Sequence, residues 1–281
     1  MYKEFYGFKQ LPFNVIPDPR FLYRSHSHRD ALAYITYGIF QKKGFIAVTG
    51  EVGVGKTTVV NAFIDLFHES LAIAFVFSTK FPFDQLLYLI CKDLDLDVEG
   101  KNKAQMLLSL NEFLIEQYER NKNTLVIIDE AQNLSVDAME ELRMLSNLET
   151  RDRKLLQIML VGQPELENLL NMNELRQLRQ RIPGICRIGL LNREEVEGYI
   201  NYRLQVAGAQ NGAIRFTDDA VEEIFHYSSG IPRLINVLCD RVLLIGYVTS
   251  TRTIDGRLVR EGIRDIETLD NRVQDRRIRL R

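Results

Sequence analysis

Residues Gly50 to Thr57 read GEVGVGKT and match the pattern G-x-x-x-x-G-K-[ST]. In such a loop the backbone N–H groups close around phosphate oxygens, the lysine reaches the β- and γ-phosphates, and the hydroxyl holds Mg²⁺. A buried strand must precede the loop and a helix must follow it, and the flanking sequence has both patterns. We therefore expect nucleotide phosphates to be bound by Gly50, Glu51, Val52, Gly53, Val54, Gly55, Lys56, Thr57 and Thr58.

Short apolar runs alternate with amphipathic segments through the first two thirds of the chain. Each run is short, rich in β-branched residues and mostly uncharged, which is typical of a buried strand. Because strands that alternate with helices form parallel sheets covered on both faces, we expect five parallel strands in an αβα arrangement. The predicted strands are FIAVTG (45–50), LAIAFVFS (71–78), LVIID (125–129), LLQIMLVG (155–162) and ICRIGL (185–190).

Strand patterns stop after about Leu191, and helix signals replace them. Asn192 followed by Glu195 forms a capping-box pattern, and Pro232 suits the first turn of a helix. These signals predict a small all-helical domain whose helices begin at Asn192, at Thr217, at Pro232 and after Asp255.

The composition is that of an ordinary globular protein, with 46% hydrophobic and 26% charged residues and a net charge of −2. Three distant cysteines without a CxxC pair indicate neither disulfides nor a zinc site. The start lacks a signal-peptide pattern, and no apolar run is long enough to span a membrane. We therefore expect a cytoplasmic protein.

The second candidate element is LVIIDEAQ, from Leu125 to Gln132. An apolar strand that ends in a carboxylate places Asp129 at the carboxyl edge of the sheet, where it can hold Mg²⁺ together with Thr57. Glu130 can then polarise an attacking water as a general base. Asn121 to Thr124 resemble NKxD but lack the aspartate and precede Asp129, which disfavours a GTPase.

With these two elements in place, the sequence resembles the AAA+ ATPases, a P-loop class with a parallel five-stranded αβα core and a C-terminal helical lid. The resemblance implies that Gln163, in LLQIMLVGQPEL, senses the γ-phosphate, and that Arg233, in GIPRLIN, reaches back to the nucleotide. A turn-forming glutamine and a solvated arginine are the alternative interpretations.

The segment LRQLRQRIPG (175–184) carries three arginines within six positions. A nucleic-acid patch, a solvated helix face and a contribution to a neighbouring subunit are all compatible with that pattern. Since Arg176 and Arg179 lie three apart on one helix face, at least one is expected to be ordinary surface charge. The AAA+ resemblance implies that the arginine entering the next subunit's site lies here, with Arg181 the first choice and Arg179 the second.

More narrowly, the chain is similar to the general secretion pathway protein A (ExeA-like) family, through FYGFKQLPFNVIPDPRFLYRSHSHRDALAYITYGI, GFIAVTGEVGVGKTT, LVIIDEAQNLSVDAMEELRMLSNLET, LRQLRQRI and GIPRLINVLCDRVL. This resemblance implies an N-terminal segment that lines the adenine pocket through 17–21 and the helix near 28–37. A clasp packing Phe5, Phe8 and Phe13 onto the core is the plainer interpretation. The expected divisions are 1–44 (N-terminal segment), 45–191 (ATPase core), 192–268 (lid) and 269–281 (basic tail).

The leading hypothesis is therefore a Mg²⁺-dependent ATPase that forms a homo-oligomeric ring or filament and serves a secretion or envelope-export system. The alternative is an ATP-dependent DNA-binding regulator of transposition, favoured by the five arginines and two aspartates of 269–281. In a third hypothesis, the arginines of 269–281 bind peripherally to the surface of the inner membrane. Longer family members continue into a membrane helix and a wall-binding module, neither of which is found up to Arg281, so wall binding is not inferred.

Overall fold

Strands and helices alternate through the first two thirds of the chain, as the apolar runs predict. A computed structural model describes residues 1–77, 80–149, 154–210 and 212–279, with side chains up to residue 268. In these ranges the strands are β1 Phe45–Thr49, β2 Leu71–Phe77, β3 Asn123–Asp129, β4 Leu156–Gly162, β5 Ile185–Arg187, β6 Arg215–Phe216 and β7 Thr253–Ile254. The helices are α1 Tyr2–Phe5, α2 His26–Phe40, α3 Lys56–Phe67, α4 Phe83–Asp93, α5 Lys103–Glu119, α6 Val136–Leu145, α7 Glu165–Leu170, α8 Arg176–Arg179, α9 Arg193–Val206, α10 Asp218–Ser228, α11 Pro232–Val248 and α12 Gly256–Arg279.

The first five strands form one parallel sheet in the order β2-β3-β4-β1-β5, which confirms the predicted fold class. Every residue of β1 and β4 is buried, because central strands of a parallel sheet are covered on both faces. At the carboxyl edge Thr49 pairs with Gly162 on the neighbouring strand. The chain segments that follow β1, β3 and β4 therefore leave the sheet at the same edge.

The chain divides into two compact units. The sheet unit contains residues 26–52 and 56–189, and its core is formed by the sheet and the helices packed on it. The helical unit contains residues 1–25, 53–55 and the chain from Leu190 onwards. Sequence patterns placed the start of the lid at 192, two residues later. No helix in the described ranges has the length and apolar character needed to cross a bilayer.

The helices of the helical unit begin where the capping patterns predict. The Asn192 side chain accepts the N–H of Glu195, whose carboxylate accepts the N–H of Asn192, so the capping box is confirmed. Pro232 is the first residue of α11, and the Asp255 carboxylate accepts the N–H of Leu258 at the start of α12. The two-residue strands β6 and β7 also pair here, and they are too short to leave a periodic signal.

The N-terminal aromatic residues belong to the helical unit. Phe8 and Phe13 are buried in its core, and Phe5 packs against it. The Tyr6 hydroxyl donates to the carbonyl oxygen of Thr251 at 3.1 Å, and a Cβ on Gly246 would lie 2.3 Å from that hydroxyl oxygen. The sequence suggested that these rings pack on the ATPase core, whereas the structure places them in the core of the helical unit.

A buried guanidinium holds the N-terminal segment within this unit. Arg203 of α9 donates to the carbonyl oxygens of Pro12 at 2.5 Å and Asn14 at 2.9 Å, and to the Tyr199 hydroxyl at 2.8 Å. Its guanidinium carbon lies 4.7 Å from the centre of the Phe21 ring. Because Arg203 is only 6% exposed, the three acceptors and the ring replace water around its charge.

We expect Arg203→Ala to lower the free energy of unfolding by about 3 kcal/mol, because the buried carbonyl oxygen of Pro12 and the partly buried one of Asn14 lose a charged donor. Arg203→Lys should recover only part of this, since a lysine cannot serve three acceptors in the arginine's planar geometry. Urea titration, combined with amide hydrogen exchange of residues 1–25, measures the effect. Arg257→Ala is the matched control, because Arg257 is an exposed residue of α12; equal stability of the two alanine variants would contradict the prediction.

Candidate active site

The predicted phosphate loop joins the end of β1 to the first residue of α3. Gly53 and Gly55 have φ values of +85° and +99°, in the region that favours glycine, so the backbone turns tightly here. Lys56 opens α3 and is buried. Its ammonium group donates to the carbonyl oxygens of Gly50 at 2.8 Å and Glu51 at 3.0 Å. The lysine therefore lies folded along the loop.

Two carboxylates of the DEAQ segment lie near this lysine. Burial lowers the pKa of Lys56, while the negative charges of Glu130 and Asp129 raise it. The phosphate loop, Lys56 and both acidic residues lie at the carboxyl edge of the sheet. The positive ammonium group of Lys56 and the two negative carboxylates therefore lie close together beyond the end of β1. This charge arrangement suits a polyphosphate with a bound divalent cation.

The hydroxyl of Thr57 and the carboxylate of Asp129 meet at the base of this site. Thr57 Oγ1 donates to Asp129 Oδ2 at 2.8 Å, although the two residues lie 72 positions apart in the chain. Asp129 ends β3 and is buried, and that burial raises the pKa of its carboxyl group, while the Thr57 hydroxyl lowers it. A hydroxyl beside a buried carboxylate offers the hard oxygen ligands that Mg²⁺ prefers, so the residues present fit that metal.

Glu130 follows directly and has an unusual backbone conformation. Its φ of 53° and ψ of 34° lie in the left-handed region, which costs a residue with a side chain about 1–3 kcal/mol. The turn is held by the N–H of Glu130, which donates to Asp129 Oδ1 at 2.9 Å, and by its carbonyl, which accepts the N–H of Asn133 at 3.0 Å. The two successive carboxylates therefore have different partners: Asp129 bonds Thr57, and Glu130 bonds two glutamines.

Two glutamine side chains meet the carboxylate of Glu130. Gln163, which follows β4, donates through Nε2 to Glu130 Oε2 at 2.9 Å. Gln132 donates to the same oxygen at 2.6 Å, and its own Oε1 accepts the backbone N–H of Gln163 at 3.1 Å. The structure therefore brings the predicted general base and the predicted γ-phosphate sensor into contact, and adds Gln132 to them.

A separate ion pair supports the end of β1. Glu167 of α7 accepts the hydroxyl of Thr49 at 2.7 Å and the Nε of Arg187 at 2.8 Å. The Arg187 guanidinium holds the pKa of the Glu167 carboxyl group below its usual range. Because Thr49 directly precedes the phosphate loop, this cluster links the start of the loop to the helix that follows Gln163.

The three arginines of 175–184 have different surroundings. Arg181 Nη1 donates to Ser146 Oγ at 2.8 Å and to the carbonyl oxygen of Arg143 at 3.1 Å, both at the C-terminal end of α6. Arg179 Nη1 donates to the carbonyl oxygen of Ile182 at 3.0 Å. The side chain of Arg176 is exposed and makes no hydrogen bond or ion pair within the described ranges. The first two are therefore tied to their own chain, and Arg176 faces solvent.

Arg233 occupies the second position of α11, in the first turn as the GIPRLIN motif predicts. Within the helical unit its backbone N–H donates to the carbonyl oxygen of Gly53 at 3.2 Å. A Cβ on Gly53 would lie 2.7 Å from the Cβ of Arg233, so only glycine allows this approach. The side chain of Arg233 is exposed.

Gln132 and Ser146 are the site residues that sequence reasoning missed. Gln132 lies inside the DEAQ segment, but the strand ends at Asp129, so strand periodicity does not set the direction of a side chain three positions later. In the structure the left-handed residue Glu130 and the 3₁₀ turn Ala131–Asn133 bring the two side chains together. Ser146 directly follows α6, and nothing in the local sequence connects it with Arg181, 35 positions later. The basic segment 269–281 lies beyond the described side chains.

Similarity to known proteins extends over most of the chain. A family model described as an AAA domain matches residues 39–170. General secretion pathway protein A of Aeromonas hydrophila is 38% identical over 255 residues, which are 90% of this chain and 46% of that protein. The chain therefore spans about half the length of this curated relative.

Three solved structures illustrate the similarity of fold. The ORC2 protein of Aeropyrum pernix, in ADPNP-ADP complexes, has a TM-score of 0.69 at 19% identity, over 91% of this chain and 71% of that chain. Cdc6p of Pyrobaculum aerophilum has a TM-score of 0.66 at 15% identity, over 94% and 70%. The RuvB Holliday junction branch migration motor of Thermotoga maritima has a TM-score of 0.58 at 18% identity, over 86% and 69%. At these identities the likeness concerns the fold alone.

Proposed function

The chain belongs to the AAA+ ATPases related to general secretion pathway protein A, and from this premise we propose that it hydrolyses ATP, with Mg²⁺, in an oligomer that serves a secretion or envelope-export system. The observation that carries the proposal is the hydrogen bond between Thr57 and Asp129, beside a carboxylate held by two amides. That arrangement supplies metal ligands and a general base at one phosphate loop, which a module that only binds nucleotide does not need. The oligomer would work as an assembly or remodelling switch, with contact at the inner membrane surface.

ATP would bind with its phosphates in the loop from Gly50 to Thr58. Lys56 would exchange the carbonyl oxygens of Gly50 and Glu51 for phosphate oxygens, because an ammonium group gains more from an anion than from a neutral carbonyl. Thr57 and Asp129 would hold Mg²⁺, which when bound neutralises charge on the β- and γ-phosphates. Arg233, next to Gly53 in the helical unit, is the proposed second sensor.

Hydrolysis would proceed by in-line attack of a water molecule. The water oxygen forms a bond to the γ-phosphorus as the bond to the bridging oxygen breaks, and ADP leaves with that electron pair. Glu130 accepts the water proton, while Gln163 donates to an oxygen of the γ-phosphate. An arginine from the adjacent subunit stabilises the transferred phosphoryl group, with Arg181 the first candidate and Arg179 the second.

We expect Lys56→Ala to abolish ATP binding at micromolar nucleotide concentrations, because the variant loses the cation that contacts the β- and γ-phosphates. Titration with a fluorescent ATP analogue measures this, and ATP turnover should be lost with it. Lys101→Ala is the matched control, because Lys101 bonds Ser109 outside the site. ATP binding by Lys56→Ala with wild-type affinity would contradict the proposed phosphate loop.

The arginines of 269–281 are the observation that favours the transposition hypothesis. A DNA-binding measurement at two salt concentrations tests it. Binding through phosphate contacts weakens steeply between 50 mM and 200 mM salt. Duplex DNA that binds with an ATP analogue at low salt, and is released at 200 mM salt, would support that alternative. No binding at low salt would reject it.

A further inference from the structure

Glu130, Gln132 and Gln163 form a closed hydrogen-bonded triangle, to which Gln163 contributes both its side-chain amide and its backbone N–H. Two amide groups donate to one carboxylate oxygen, Glu130 Oε2, and Gln132 Oε1 accepts the N–H of Gln163. In the described ranges the second oxygen, Glu130 Oε1, accepts no hydrogen bond. The carboxylate is therefore held by one of its oxygens while the other is left available.

The chain provides space for Gln132 at the end of β4. A Cβ on Gly162 would lie 2.8 Å from Gln132 Oε1, closer than a real Cβ approaches an oxygen, and 2.9 Å from a methyl group of Leu166. The φ of Gly162 is not in the left-handed region, so conformation alone does not require glycine at this position. Glycine is needed here because the side chains of Gln132 and Leu166 occupy the space that a Cβ on Gly162 would fill.

The two amides differ in what they can do. Gln163 follows the strand between β1 and β3 and lies where the γ-phosphate is proposed to bind, so phosphate can compete with Glu130 for its N–H group. Gln132 instead lies in the 3₁₀ turn that directly follows Glu130, and backbone hydrogen bonds anchor this turn. Gln132 can therefore keep its hydrogen bond to Glu130 when Gln163 changes partner.

We propose that Gln132 is a positioning residue for ATP hydrolysis, which holds Glu130 Oε2 so that Oε1 is presented to the attacking water. This inference rests on the proposed function of the same site. In this role Gln132 acts through Glu130 and not directly on the water or the phosphate. A neutral amide suits this role, because it donates to the carboxylate without competing for the proton that the carboxylate must accept.

Two variants separate the two hydrogen bonds of the Gln132 amide, the one that it donates to Glu130 and the one that it accepts from the N–H of Gln163. Gln132→Met has a similar length but neither donates nor accepts, whereas Gln132→Glu keeps an acceptor for the N–H of Gln163 and loses the donor. We expect both to lower kcat about 10-fold to 100-fold, with the affinity for a fluorescent ATP analogue within twofold of wild type. Gln85→Met, at an exposed residue of α4, is the matched control. Wild-type kcat in Gln132→Glu would show that only the acceptor matters and would overturn the proposal.

A double-mutant cycle supplies the second readout. In a Glu130→Gln background, Gln132→Met should change the remaining rate less than twofold, because its partner has already lost its function. The full decrease in that background would mean that Gln132 acts elsewhere and would also overturn the proposal. If wild type itself shows no ATP turnover in its assembled state, the proposed function fails; if wild type turns over ATP and Gln132→Met does so equally, only the role of Gln132 is rejected.

Discussion

Glu130→Gln is expected to bind ATP with wild-type affinity and to lose turnover by about 10²–10⁴-fold. The substitution keeps the size of the side chain and an oxygen that can accept from Gln132 and Gln163, but removes the group that takes the proton from water. ATP then persists in the site, so the assembled state should be favoured. Phosphate release and electron microscopy with ATP measure the two effects.

Glu112→Gln is the control for this substitution, because Glu112 is an exposed carboxylate of α5 in the same unit. It should turn over ATP at the wild-type rate. Equal hydrolysis by Glu130→Gln and wild type would remove Glu130 from the mechanism. Loss of ATP binding by Glu130→Gln would instead show that the carboxylate is needed to form the site.

Arg181→Ala is expected to bind ATP and to lose about 10³–10⁵-fold in turnover, the range known for an arginine supplied in trans. Mixing with Glu130→Gln subunits should restore part of the activity. In the mixed assembly an intact Arg181 from one subunit enters the site of the other, whose Glu130 is intact. Neither variant alone has such a site.

The contacts of Arg181 within its own chain require a further control. Arg181 bonds Ser146 and the carbonyl oxygen of Arg143 at the end of α6, so its loss could also weaken that helix end. Ser146→Ala removes one of these acceptors and leaves Arg181 in place. If Ser146→Ala loses as much activity as Arg181→Ala, the loss comes from the weakened end of α6 and not from a missing arginine in the neighbouring site. If a verified mixed assembly shows no restored activity, Arg181 does not act in trans, and that role moves to Arg179 or elsewhere.

The fold was accessible from the sequence because its signals are local. Each strand of the sheet is a short apolar run, since β1 and β4 are buried on both faces, and GEVGVGKT can only lie between a strand and a helix. The capping residue Asn192 acts within one helical turn, so the start of α9 follows from spacing. The similarity to AAA domains agrees with these expectations.

The candidate site was accessible only in part. Lys56, Asp129 and Glu130 follow from motifs, because strand ends and glycine loops imply where their side chains lie. The position of the N-terminal aromatic residues could not be predicted from the sequence, since Phe8 and Phe13 are equally suited to either hydrophobic core. The hydrogen-bond partners of Arg181 could not be predicted either, because Arg143 and Ser146 lie more than 30 positions away in the chain.

By itself the sequence determined the chemical groups of the site and the class of fold, because both depend on residue type and on short-range periodicity. Only the tertiary structure decided which groups meet. The parallel order of β3, β4 and β1 brings Thr57 to Asp129 and Gln163 to Glu130, although 72 and 33 positions separate the partners. The left-handed backbone at Glu130 and the 3₁₀ turn after it then bring its carboxylate to Gln132, a contact that depends on this turn because β3 has already ended at Asp129.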